Sequence, residues 1–269
     1  MAGFAQRAGR LGRMIGALAP IAFAPAAAVA GAWTEPQGQG LMIATLWGWA
    51  GAGAPWGGNP AVGQNRADLQ TFAEYGLNDQ WTLFGQMAVE RYKLSPPAPS
   101  FYAGLDYSDL GLRAKLWASG PWIVSSEATL FLPGAWSPAS PAQAGNTGGA
   151  AEARMLAGSS FAIGPEPGFL DLELGYRVRT AGPPGEWHAD VTAGLKPAPG
   201  VLVMLQDFTT VSMPSTNRSF PAWRQSVLQA SLVVPLAEKW SLQVGCFATL
   251  VATKTNTERG GALAIWRTF

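Results

Sequence analysis

Charged side chains alternate with apolar ones along several short stretches of this chain. In residues 170–179 the even positions are Leu, Tyr and Val, whereas Asp171, Glu173 and Arg177 occupy odd positions. Side chains two residues apart share one face of a strand, so one face is apolar and the other charged. A charged face can line a polar passage or neutralise itself in an ion-pair network, and both alternatives remain open. The candidate residues are Glu74, Glu90, Arg113, Lys115, Glu127, Arg154, Asp171, Glu173, Arg177, His188 and Asp190.

Few residues of this sequence could support catalysis or bind a metal ion. His188 is the single histidine and Cys246 the single cysteine, so the sequence offers no Cys/His zinc cluster and no intramolecular disulfide. A Ser–His lipid hydrolase on the outer wall is an alternative, but the alternation places His188 on the charged face with Asp190. Ser125 and Glu127 are interpreted as polar lining. We therefore predict no enzyme activity and no cofactor.

Composition narrows the class of protein. The 269 residues include 18 Lys+Arg and 17 Asp+Glu, so charged residues make up 13% of the chain, against about 25% in ordinary soluble domains. A net charge of +1 gives no reason to expect a nucleic-acid partner. The 33 Gly and 21 Pro argue against long helices. Apolar faces with so few charges favour lipid outside the fold, with a soluble β-barrel as the alternative.

The alternating segments predict an all-β fold, a transmembrane antiparallel up-and-down β-barrel. Its connections are expected to be tight on one rim and long on the other, with long loops at 50–65, 93–107, 133–151 and 213–223. Loop 133–151 could fold inward or reach a partner. The facing of the first, ninth and last strands stays open, because they are apolar at both parities. The twelve predicted strands are 38–49, 66–77, 80–92, 108–117, 121–132, 152–163, 168–179, 186–196, 200–212, 224–235, 239–252 and 258–269.

Aromatic residues cluster near the ends of the predicted strands, as in the two interfacial girdles of membrane barrels. Trp47 and Trp187 lie near the long-loop end. Hairpin register further predicts Arg113 opposite Glu127 and Glu152 near Arg179. The predicted girdle comprises Tyr75, Trp81, Trp122, Phe161, Trp187, Trp240 and Phe269.

The first thirty residues read as an export signal. Arg7, Arg10 and Arg13 precede an apolar, Ala-rich stretch that ends in Ala-Val-Ala at residues 28–30. We predict cleavage after Ala30, which leaves residues 31–269 as a single barrel domain with no plug domain ahead of its first strand. An uncleaved membrane anchor is the alternative.

On these residues the chain resembles Gram-negative outer-membrane β-barrel proteins. Such barrels typically end in an aromatic residue that the assembly machinery reads, and this chain ends in Phe269, with Ile265 and Leu263 at alternate positions. The hairpin at residues 74–83, Glu-Tyr-Gly-Leu-Asn-Asp-Gln-Trp-Thr-Leu, is similar to one that recurs in the outer-membrane transporter group associated with the meta-pathway of phenol degradation. The resemblance implies outer-membrane lipid and the barrel-assembly machinery as partners.

Passive transport of a small solute through a narrow polar lumen is therefore the predicted function. Eight strands leave room only for side chains or one small ligand, whereas about 16–18 strands enclose an open channel, so twelve strands lie between these cases. A structural or surface-binding barrel with a plugged lumen is the alternative hypothesis.

Overall fold

A computed structural model describes residues 31–53, 62–96, 99–134, 148–180, 183–215 and 221–269. The predicted signal peptide and most of loop 133–151 lie outside these residues. Across the described ranges, no helix is long and apolar enough to cross a membrane. Extended strands make up nearly all of the regular structure.

Thirteen strands follow one another along the chain. They are β1 Gly40–Gly53, β2 Val62–Asn78, β3 Trp81–Leu94, β4 Ser100–Leu105, β5 Ser108–Ser119, β6 Trp122–Leu132, β7 Ala150–Ile163, β8 Glu166–Arg179, β9 Glu186–Ala198, β10 Val201–Ser212, β11 Arg224–Ala237, β12 Trp240–Thr253 and β13 Thr257–Thr268.

Every neighbouring pair of strands is antiparallel, and the sheet closes on itself through β1 and β13. Strands β4 and β5 both pair with β3, one after the other: Leu105 lies opposite Val89, and Asp109 lies opposite Gln86. They therefore act as two pieces of one wall strand. The wall is a closed twelve-stranded up-and-down barrel, as the sequence predicted.

Side chains alternate between the enclosed interior and the outer surface along each strand. On β6, Ser125 is fully buried, while Leu130 is 65% exposed. Outward positions carry most of the exposed large apolar side chains, including Ile163, Leu250 and Leu110. Inward positions carry the buried carboxylates and guanidinium groups. The barrel is thus apolar outside and largely polar inside, the reverse of a soluble barrel.

Five tight turns form one rim, between β2 and β3, β5 and β6, β7 and β8, β9 and β10, and β11 and β12. Gly120, Gly164 and Gly200 have positive φ in three of these turns, a conformation that glycine adopts without steric cost. Each of these turns joins two strands that the sequence predicted as neighbours with a short gap between them. The longer connections lie on the opposite rim.

The predicted loop 93–107 is wrong, because it contains β4. Phe101 and Leu105 point outward while Tyr102 points inward, so this piece has a strand's alternation despite the prolines before it. The strand breaks at Asp106 and Tyr107, and Asp106 reaches Arg66 inside the barrel.

The three strands of undecided facing are now assigned. Leu41 and Ile43 of β1, Leu202 and Met204 of β10, and Trp266 of β13 are buried inside the barrel. Trp47 shares this inward parity and its indole donates to Gln70 at 2.8 Å. The prediction that Trp47 joins the outer girdle is therefore wrong: both parities of β1 are apolar, and periodicity could not separate them.

Asn78 organises the β2–β3 turn, because its side-chain oxygen accepts hydrogen bonds from the backbone N–H groups of Gln80 (2.8 Å) and Trp81 (2.9 Å). We expect Asn78→Ala to lower the free energy of unfolding by about 1 kcal/mol. Urea titration of the refolded barrel measures this change. Glu238→Ala, in the β11–β12 turn, is the control and should change it by less than about 0.5 kcal/mol. Equal effects of the two variants would contradict this role of Asn78.

Candidate functional site

The amino-terminal segment, residues 31–37, lies inside the barrel near the short-turn rim. Ala32 is fully buried. Its N–H donates to Asp171 Oδ1 at 2.8 Å, and its carbonyl accepts a hydrogen bond from the Ser125 hydroxyl. The segment therefore contacts β6 and β8 across the lumen. The segment fills part of the lumen at this end of the barrel.

Two inward glycines make room for this segment. A Cβ at Gly76 would lie 2.5 Å from the Glu35 carbonyl oxygen, and a Cβ at Gly158 would lie 2.6 Å from the Trp33 ring. Gly38 donates its N–H to the Gly76 carbonyl at 2.9 Å. Any other residue type at these two positions would displace the amino-terminal segment.

The β2–β3 hairpin holds the other end of the segment. The Thr34 hydroxyl donates to the Asp79 carbonyl at 3.1 Å, and the Gln37 N–H donates to Asp79 Oδ1 at 3.3 Å. The Glu35 N–H donates to the Thr82 hydroxyl at 2.8 Å. The hairpin at residues 74–83 therefore anchors the amino-terminal segment.

Arg113 connects the segment to the wall. It is 1% exposed. Its Nε lies 2.6 Å from Glu127 Oε1, and its Nη1 lies 3.1 Å from Glu74 Oε2. The same Nη1 donates to the Trp33 carbonyl at 2.8 Å. One guanidinium thus links β2, β5, β6 and the amino-terminal segment.

An apolar cluster lies beside this polar contact. The Trp33 ring packs edge-on against Phe169 with centroids 5.8 Å apart. Together they join the buried side chains Leu41, Ile43, Leu202, Met204, Val233, Ala264 and Trp266. These side chains and the amino-terminal segment narrow the lumen near the short-turn rim.

A second group of charges continues along β7, β8 and β9. Arg154 Nη1 lies 2.8 Å from Glu173 Oε2 and also bonds Asp190. Arg177 Nε lies 2.7 Å from Glu152 Oε2, and its guanidinium carbon lies 4.0 Å from the Phe131 ring centroid. These charges lie inside the barrel and largely compensate one another.

His188 and Glu186 belong to the same group. His188 Nε2 lies 3.3 Å from Glu186 Oε1, and Arg179 bonds the same carboxylate. The register predicted for Glu152 is wrong by two residues: Arg177 lies opposite it, and Arg179 lies opposite Ala150. The prediction of Arg113 opposite Glu127 is confirmed.

A third group lies nearer the long-loop rim. Arg66 Nε lies 2.8 Å from Asp68 Oδ2 and 3.1 Å from Glu90 Oε2, and its other end bonds Asp106. Arg66 and Asp68 are not among the predicted lining residues. Their two-residue spacing is the signal that places both on one face of the strand predicted to begin at 66.

The opposite inner wall, on β10 to β13, carries mostly neutral side chains, with Glu258 of β13 as an inward carboxylate. Gln229 Nε2 donates to Gln206 Oε1 at 3.2 Å and to the Ser231 hydroxyl at 3.0 Å. Gln243 donates to the same hydroxyl and accepts from the Trp266 indole, both at 3.0 Å. The lumen therefore has one charged wall and one wall made mostly of amides, hydroxyls and apolar groups.

All eleven predicted lining residues occupy inward positions of the ladder. All seven predicted girdle residues are on the outer surface, between 38% and 51% exposed. Phe269 stacks on Tyr75 with ring centroids 6.4 Å apart. In the described parts of the chain, no group of three His, Cys, Asp or Glu side chains is placed to hold a metal ion.

Comparison with solved structures defines the class of fold. The COG4313 outer membrane channel from Pseudomonas putida F1 is 14% identical, has a TM-score of 0.70, and is matched over 90% of this chain and 100% of its own. The translocator domain of the autotransporter NalP from Neisseria meningitidis is 10% identical, with a TM-score of 0.54 over 87% and 90% of the two chains. The fold is thus that of bacterial outer-membrane β-barrels. No family model and no curated protein matches the sequence.

Removing the Arg113 guanidinium should leave two buried carboxylates, those of Glu74 and Glu127, without their cationic partner. We expect Arg113→Met to lower the free energy of unfolding by about 3–5 kcal/mol, measured by urea titration. Adding Glu74→Gln and Glu127→Gln should recover much of the loss, because those charges no longer need a partner. An Arg113→Met variant as stable as the parent protein would contradict the assignment.

The close approach of Trp33 to Gly158 gives a second test. We expect Gly158→Ala to lower the free energy of unfolding by about 1–3 kcal/mol, because the new methyl group displaces the Trp33 ring. Gly48→Ala is the matched control, since a Cβ there meets nothing within 4 Å. The expectation fails if both variants are equally stable in urea titration.

Proposed function

We propose that this protein is a passive channel of the bacterial outer membrane for small solutes. The observation that carries the proposal is the enclosed inner wall of charged and amide side chains, surrounded by an apolar outer face. Such an arrangement suits lipid outside and water inside. No energy-coupling element is needed for diffusion through it.

The outer surface supports membrane insertion. Exposed Leu, Ile and Val side chains cover it, and the seven girdle aromatics lie at strand ends. Arg267 lies over the Trp240 ring, 5.2 Å from its centroid, as expected of a cation near a membrane interface. We propose outer-membrane lipid as the surroundings, export by the predicted signal peptide, and the assembly machinery as a partner that reads Phe269.

The interior supports a narrow passage. Near the short-turn rim the amino-terminal segment, Arg113 and the Trp33 cluster occupy the lumen. A solute would therefore meet a constriction at the amino-terminal segment. Displacement of that segment would widen the passage.

We further propose a relationship to the transporter group associated with phenol degradation. Its support is the hairpin at residues 74–83, in which Glu74, Gly76 and Asp79 all serve the amino-terminal segment. The Pseudomonas putida protein with the similar fold is an outer membrane channel, which is consistent with the proposed role. Because the two chains are only 14% identical, the substrate of one cannot be inferred from the other.

A plugged barrel that binds a partner at its surface is the second candidate. The occupied short-turn end of the lumen is the observation that favours it. The lipid-hydrolase hypothesis is weaker, because His188 bonds Glu186 inside the barrel and does not face lipid.

Single-channel conductance distinguishes these functions. We expect the refolded chain beginning at Gly31 to give small discrete steps in a planar bilayer. A chain beginning at Gln37, which lacks most of the amino-terminal segment, should give larger steps because the constriction is gone. Arg91→Gln, on the outer face, is a control that should leave the steps unchanged. Two folded but silent chains would contradict the channel and favour the surface-binding barrel.

A further inference from the structure

Gly31 is buried against the carboxylate of Asp171. A Cβ built on Gly31 would lie 3.0 Å from the carboxylate carbon and 3.1 Å and 3.2 Å from its two oxygens. The next residue, Ala32, donates its N–H to the same carboxylate. The backbone of Gly31 therefore lies beside the carboxylate of Asp171, a residue that is only 2% exposed, and the Gly31 nitrogen is one bond from the Cα at this contact.

Asp171 is hydrogen-bonded by the Ala32 N–H and by the Glu173 carboxyl, but no guanidinium group of the described residues forms an ion pair with it. The guanidinium of Arg113 is bonded to Glu74 and Glu127, and that of Arg154 is bonded to Glu152, Glu173 and Asp190. This part of the inner wall holds four guanidinium groups and seven carboxylates, and His188 lies beside two of the carboxylates, those of Glu152 and Glu186. The guanidinium groups are those of Arg113, Arg154, Arg177 and Arg179, and the carboxylates are those of Glu74, Glu127, Glu152, Asp171, Glu173, Glu186 and Asp190.

We propose that the processed amino terminus supplies a cation for Asp171. A signal peptidase would hydrolyse the Ala30–Gly31 bond: one water is added, Ala30 leaves with a new carboxylate, and the Gly31 nitrogen becomes an amine that takes up a proton. The resulting α-ammonium group of Gly31 pairs with Asp171 inside the lumen.

This ion pair gives the cleavage position a structural role. Pairing at Gly31 fixes the first residue of the amino-terminal segment, while Arg113 fixes Trp33 and the hairpin fixes Thr34 and Gln37. A buried carboxylate without a cation is costly, so the pair also stabilises the barrel. Processing at a different bond would move the charge away from Asp171. The inference does not depend on solute permeation.

The test begins with the chain purified from outer membranes. Intact-mass spectrometry should give Gly31 as its first residue, and a different first residue would overturn the proposal. Labelling of the α-amine by an amine-reactive ester should be at least about tenfold slower in the folded barrel than in urea, because pairing and burial both remove free amine. Equal labelling rates in the folded barrel and in urea would overturn the proposal. This measurement uses the parent chain, so it does not depend on whether the variants refold.

A stability cycle then tests the partner. Refolded chains beginning at Gly31 and at Ala30 are compared with and without Asp171→Asn, since one added residue moves the charge. We expect Asp171→Asn to lower the melting temperature by at least about 3 °C in the Gly31 chain and by much less in the Ala30 chain.

Asp190→Asn is the matched control for that cycle. Asp190 pairs with Arg154, so its replacement should have the same effect in both chains. Equal effects of Asp171→Asn in both chains would show that Asp171 does not bind the amino terminus.

Discussion

The interior of this barrel depends on the ion pairs of one buried guanidinium group. Closure of the sheet removes inward side chains from bulk water, so each inward charge needs a partner within the lumen. Arg113 provides this for Glu74 and Glu127 and also binds the backbone at Trp33. Because Glu74 belongs to the β2–β3 hairpin and Glu127 to β6, the same contact ties the amino-terminal segment to two sides of the wall.

The two halves of the inner wall differ in what they offer a solute. Strands β2 to β9 present guanidinium groups that are each bound to carboxylates, and the carboxylates outnumber the guanidinium groups. Strands β10 to β13 present the amides of Gln206, Gln229 and Gln243, which exchange hydrogen bonds with hydroxyls and with each other. The amino-terminal segment occupies the lumen near the short-turn rim.

The barrel was predictable from sequence because lipid-facing strands alternate strongly. Where alternation failed, so did the prediction: β1 is apolar at both parities, and Trp47 was assigned to the wrong face. The prolines just before β4 led to the prediction of a loop at 93–107 in place of this strand. The amino-terminal segment has no periodicity, and its signal was indirect, in the inward glycines Gly76 and Gly158. Which carboxylate binds which guanidinium depends on register, and a two-residue error moved the partner of Glu152 from Arg177 to Arg179.

Cross-linking tests most directly whether the amino-terminal segment occupies the lumen. Ala32→Cys and Ser125→Cys are introduced together in a Cys246→Ala background, and disulfide formation is measured by mass spectrometry on intact outer membranes. The structure predicts an intramolecular disulfide, because the Ser125 hydroxyl bonds the Ala32 carbonyl. Ala32→Cys with Leu130→Cys, on the outer face, should give none. Absence of the first disulfide, or equal formation of both, would contradict the account.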